Sequence, residues 1–184
     1  MKRLLFLFAV SFSFAAGAQD YSLFAKKLVI SEGDTLPYRI LLPENYNPAK
    51  KYPLVFFLHG AGERGNDNEK QLMHGAKLFL KEDVRKQFPA IVVFPQCPQK
   101  SFWSNVDFKM DEGKRTFLFK AEGEPSLGMK LAQQLLFQLF KEYKIDKKKV
   151  YAGGLSMGGM GTFEIVRRNP KMFAAAFPIC GGGE

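Results

Sequence analysis

Histidine is scarce in this chain: two among 184 residues, His59 and His74, with none after them. The two cysteines, Cys97 and Cys180, are too few for a disulfide framework. Both fall near the ends of expected strands about three sheet positions apart. That separation is roughly 14 Å at the usual strand spacing, whereas a bridge needs Cα atoms within about 7 Å, so two unpaired thiols are expected. No apolar run reaches the roughly 20 residues that a membrane-spanning helix requires, so stable membrane insertion is not expected. Internal repeats and low-complexity segments are missing, and the basic residues are scattered without aromatic interleaving. A formal charge of +9 therefore does not point to nucleic acid. The densest basic run, Lys147-Lys148-Lys149, reads as a solvated helix end.

What is present is apolar and patterned. Hydrophobic residues make up 46% of the chain, with 19 Phe, enough for one domain with a real core and too short a chain for two. The start, Met1-Lys2-Arg3, an apolar stretch from Leu4 to Phe14 and then Ala15-Ala16-Gly17-Ala18, has the layout of a signal peptide cleaved after Ala18. This predicts residues 1–18 as a leader, residues 19–184 as the folded domain, and a secreted or periplasmic destination. Loss of Lys2 and Arg3 leaves 25 basic against 18 acidic residues, a net charge of +7.

Leu28–Ile30 and Pro37–Pro43 flank a Glu32-Gly33-Asp34 turn and read as an antiparallel hairpin. Tyr52–Leu58 and Ala90–Phe94 are continuous apolar runs, as in parallel strands buried on both faces. Asn68 to Lys86 carries a helical pattern between them. Gln96 to Ser126 is a long excursion with a strand or hairpin at Arg115–Lys120, placed to act as a substrate rim. Helical spacing marks Leu127–Lys144; Val150–Gly153 is a strand, Met157–Arg168 a helix closed by Asn169-Pro170, and Ala174–Ile179 another buried strand. Strands alternating with helices predict an α/β fold with a doubly wound, mostly parallel sheet.

Within that frame, Gly154-Leu155-Ser156-Met157-Gly158 is a Gly-x-Ser-x-Gly turn between a strand and a helix. The pattern marks Ser156 as a nucleophile lifted above the strand ends, with Gly154 and Gly158 small because the turn crowds its neighbours. A second strand ends in His59-Gly60-Ala61-Gly62. Backbone N–H groups of Met157 and Ala61 are then the expected oxyanion donors, with His59 and Gly60 supporting the loop. His59 is expected to brace that loop by hydrogen bonds rather than act as base, and His74 to be structural or at the rim. Glu184 is a weak candidate acid. Trp103 is a candidate for the substrate rim, against the alternative of a packed indole.

Leu58 to Asn68, Pro95-Gln96-Cys97-Pro98 with Trp103, and Ile145-Asp146 leading to Tyr151 through Gly161 resemble secreted α/β-hydrolase carboxylesterases of the phospholipase/carboxylesterase and feruloyl-esterase-like group. The resemblance covers most of the chain after residue 20. It implies an eight-stranded sheet, no cofactor and no metal, and serine hydrolysis of a small-molecule or polysaccharide-linked ester through an acyl-enzyme. In such enzymes an acid and a histidine follow the sixth strand, in two further strand and helix units. Only 28 residues follow Ser156 here, none of them histidine. The expectation is a domain without its last strands and inactive by itself. Two other readings are a non-catalytic ester- or glycan-binding protein on the same fold, and a prolyl-oligopeptidase-like peptidase, whose usual propeller has no room here.

Overall fold

The computed structural model describes residues 20–183. The leader reading and Glu184 lie outside the described residues. β1 (Ala25–Ser31) and β2 (Asp34–Leu41) form the antiparallel hairpin, turning through Glu32 and Gly33, both at positive φ. β3 (Tyr52–Leu58) and β4 (Ile91–Pro95) are parallel neighbours. β5 (Val106–Asp111) and β6 (Lys114–Phe119) make a separate two-stranded hairpin. β7 (Ile145–Leu155) lies against β3, and β8 (Ala175–Ile179) against β7, both parallel. The main sheet therefore has six strands in the order β1-β2-β4-β3-β7-β8. Cys97, after β4, and Cys180, after β8, stand three places apart and are both free, the first buried and the second exposed.

The apolar strands pack both ways. On β3, Leu54, Phe56 and Leu58 enter a core shared with α3 (Leu127–Glu142) and α4 (Met157–Arg168), while Val55 and Phe57 face a second core holding Phe24, Leu72 and Phe94. Each such fully buried side chain is worth about 1.5–3 kcal/mol. Ser126 caps α3, its hydroxyl accepting from the Met129 N–H. Leu131, Ala132, Leu135, Leu136 and Leu139 are the buried face of α3.

Two expectations change in detail. The helical pattern over Asn68–Lys86 is broken into a 3-10 turn at Lys70–Leu72, then α1 (Ala76–Phe79) and α2 (Glu82–Gln87). Gly75 causes one break, sitting at φ 88° with the Phe57 ring directly against it. α3 stops at Glu142 rather than Lys144, and β7 begins at Ile145, so Lys147–Lys149 are exposed strand residues, not a helix end.

Candidate active site

β3 and β7 run side by side with Leu58 opposite Gly154, so the segments leaving both strands emerge at the same end of the sheet. One is the loop His59–Glu63, which closes as a single 3-10 turn over Ala61–Glu63. The other is the turn into α4. Ser156 sits there at φ 55°, ψ −113°, exposed, its N–H donating to Ile179 O at 2.7 Å. Only a tightly determined fold holds a non-glycine residue in such backbone. The determination is steric: a Cβ on residue 158 would lie 1.9 Å from Leu58 O, and one on residue 154 would lie 2.2 Å from Gly158 O. Met157 is the first residue of α4, so its N–H has no intrahelical carbonyl and lies at the positive end of the helix dipole.

The facing loop is held from below. The Cys97 N–H donates to His59 Nε2 at 2.9 Å, which makes Nε2 the acceptor and leaves the ring proton on Nδ1. Nδ1–H donates to Gly60 O at 2.6 Å, and the Trp103 indole donates to His59 O at 3.1 Å. Burial drives the His59 pKa down to about 4, only partly offset by the bond to Gly60. His59 is thus a neutral brace with both nitrogens engaged. The peptide joining Gly60 to Ala61 is trans and planar, so with its carbonyl held by His59 its N–H points to the other side. A Cβ on residue 60 would lie 3.9 Å from Ser156 Cβ, which places this peptide beside the serine.

Trp103 is corrected by the structure. It is fully buried, its ring edge-on to His59 at 5.2 Å, and it supports the loop from the core instead of lining a rim. His74 is half exposed with Nε2 3.7 Å from Glu63 Oε1. Among the described residues no hydrogen bond joins either histidine to the Ser156 side chain. No cluster of His, Cys, Asp and Glu among them could hold a metal ion, and no helix of the described residues is long and apolar enough to cross a membrane.

Sequence reasoning passed over three residues that the fold gathers here. Arg64 donates to Ala61 O and Ser101 O. Gln96 accepts from the Asn68 N–H at 2.7 Å and donates to Glu63 O and Asp67 Oδ1. Asp67 is pushed up by burial, but donors from Lys70, Glu69 and Gln96 outweigh this and hold its carboxyl well below the usual range. All three lie in quoted motifs; their sequence signal was polarity inside an otherwise glycine-rich loop and a strand end.

A family model described as "Putative esterase" matches residues 31–180. The chain is 26% identical over 145 residues to "Probable feruloyl esterase C" of Aspergillus oryzae, covering 79% of this chain and 46% of that protein. A 48-residue stretch is 44% identical to "Bifunctional acetylxylan esterase/xylanase XynS20E" of Neocallimastix patriciarum, 26% of this chain and 7% of that one. Among solved structures, a thermostable esterase superposes with a TM-score of 0.75 at 37% identity, over 89% of this chain and 42% of the other. The chain therefore spans less than half the length of these relatives. The described residues show the same α/β fold with a mostly parallel central sheet.

Proposed function

The chain belongs to the esterase family, and from that premise we propose that it carries the nucleophile of a carboxylic-ester hydrolase acting through an acyl-enzyme on Ser156. The observation that carries this reading is Ser156 itself: exposed, in strained backbone, at the head of α4 and beside the Gly60–Ala61 peptide. A serine in that setting has a use in attack and none in packing.

In this mechanism Ser156 Oγ gives up its proton and forms a bond to the ester carbonyl carbon. The carbonyl oxygen takes the electron pair as an oxyanion, stabilised by the N–H groups of Ala61 and Met157; losing either donor would cost about 3–4 kcal/mol of barrier. Collapse breaks the bond to the alcohol oxygen, which leaves with the proton. Water then attacks the acyl-serine by the same route and frees the acid. The base is neither His59, whose nitrogens are both occupied, nor a histidine hydrogen-bonded to Ser156 among the described residues. We assign it, with its acid, to polypeptide outside residues 20–183. Small-molecule or polysaccharide-linked esters are the proposed substrates, since the relatives' names speak of feruloyl and acetylxylan esters. The basic and apolar opening of the chain supports export.

Treatment of the full-length protein with a fluorophosphonate should label Ser156 and abolish turnover of a short-chain aryl ester, and the Ser156→Ala variant should neither be labelled nor turn the ester over. Turnover that survives Ser156→Ala defeats the proposal, and a folded protein that neither labels nor turns over favours a non-catalytic binder.

A further inference from the structure

The end of the sheet remote from Ser156 carries a hollow that the proposed chemistry leaves idle. Tyr52 pairs with Ile145 where β3 and β7 begin, six residues before Leu58 runs into the glycine-rich loop. That is roughly 20 Å of strand. At this end α3 and α4 both finish, and two depressions of about 420 and 510 Å³ lie side by side, sharing Phe140 and Lys147. Together they make one groove.

Its floor is apolar and largely aromatic, lined by Tyr46, Phe137, Phe140, Tyr143 and Met172. Tyr46 packs against Tyr52 and Tyr143 with ring centroids 5.3 and 6.2 Å apart, which fixes one side of the floor. Phe137, on the other side, is 51% exposed. The rim is basic: Lys51, Lys141, Lys144, Lys147 and Lys171 line the same groove, all of them exposed. Lys26, Lys70, Lys86, Lys120, Lys130 and Lys149 each form an ion pair with a carboxylate. Among the described residues none of the five rim lysines does. Glu142 is the one carboxylate lining the groove, and Gln138 Nε2 donates to it at 2.6 Å. Ammonium groups gathered without counter-charges attract an anionic partner.

We infer that this groove docks an acidic polysaccharide, a chain of uronate-bearing pyranose rings, and anchors the protein on it at a distance from Ser156. The choice of a polysaccharide rests on the esterase reading, since an anchored enzyme meets esters on the same polymer at raised effective concentration. A pyranose ring sets an apolar C–H face on an aromatic floor and its carboxylate on a lysine rim. A peptide strand needs partners for its backbone, and β3 and β7 are interior strands that leave no edge open here. A flat bilayer would meet the rim and miss the floor.

Full-length protein carrying Ser156→Ala is titrated with polygalacturonate, so that binding is read without turnover. Lys144→Glu combined with Lys147→Glu should weaken binding about tenfold, and Phe137→Ala about threefold. Lys109→Glu combined with Lys114→Glu makes the same change of charge on the exposed β5–β6 hairpin and should leave binding within about twofold. With Ser156 intact, all three variants should cleave a soluble short-chain aryl ester at the native rate. Equal weakening by the two lysine pairs shows attraction to bulk charge and overturns the inference. So does a lack of binding, equal binding of unsubstituted neutral xylan, or tighter binding of polyglutamate or of phosphatidylglycerol vesicles. Binding that depends on Lys144 and Lys147 in a protein whose Ser156 form cleaves no ester keeps the groove and removes the esterase. Ester cleavage with binding indifferent to those lysines does the reverse.

Discussion

His59 shows how one side chain links stability to the site. Its imidazole is buried and neutral, with the tautomer set by the Cys97 N–H and the loop carbonyl of Gly60 taking the remaining proton. Because burial lowers its pKa from 6.5 to about 4, the unfolded chain binds the proton more tightly than the folded one. The stability tied to this group is complete above about pH 6.5 and is lost as pH falls toward 4, a loss of about 3 kcal/mol. The unfolding free energy from urea titrations should fall between pH 7 and pH 4 by that amount more in the native sequence than in His59→Phe, which lacks the titrating ring. An equal pH dependence in the two proteins would show that His59 is not buried neutral. Asp67, held low by its donors, adds its own loss only below the ordinary carboxylate range.

At the scale of elements, the turn between β7 and α4 depends on backbone passing backbone. A methyl on Gly158 would meet Leu58 O at 1.9 Å, and no flexible side chain is there to yield. Gly158→Ala should therefore destabilise the fold by about 3 kcal/mol or more, read from the urea midpoint. Gly62, in the facing loop, has nothing within 4 Å of its missing Cβ and no positive φ. Gly62→Ala should shift stability by no more than about 0.5 kcal/mol, and a loss matching that of Gly158→Ala would refute the steric account. Both glycines belong to motifs visible in the sequence. Their difference does not, because it depends on β3 and β7 being neighbours. The same holds for Trp103: a lone tryptophan in a long loop reads as rim or, more commonly, as a packed indole, and only the arrival of its indole under His59 decides for core.

For the whole molecule, the sheet among the described residues is bounded by β8, which pairs with β7 alone. Ala175, Ala176, Phe177 and Ile179 of that strand are exposed, with Phe177 at 38% and Ile179 at 43%. A flat apolar edge is a template for pairing with another strand. The purified 184-residue chain should self-associate with rising concentration by light scattering, and Ala176→Lys should raise the onset several-fold. A chain that stays monomeric at high concentration without the lysine would show that the edge is protected.

The alternation of buried strands and helices, the Gly-x-Ser-x-Gly turn and the glycine-rich loop after β3 are local patterns of period and spacing, and they determined the fold class, the candidate nucleophile and both candidate oxyanion donors. The tertiary structure decided the rest: which strand lies beside which, the proton position on His59, the burial of Trp103, and the packing of Phe108 of the β5–β6 hairpin against Phe102. Each of these depends on residues far apart in the chain being brought within a few ångströms, as His59 and Cys97 are, and neither residue's immediate sequence encodes the other's position.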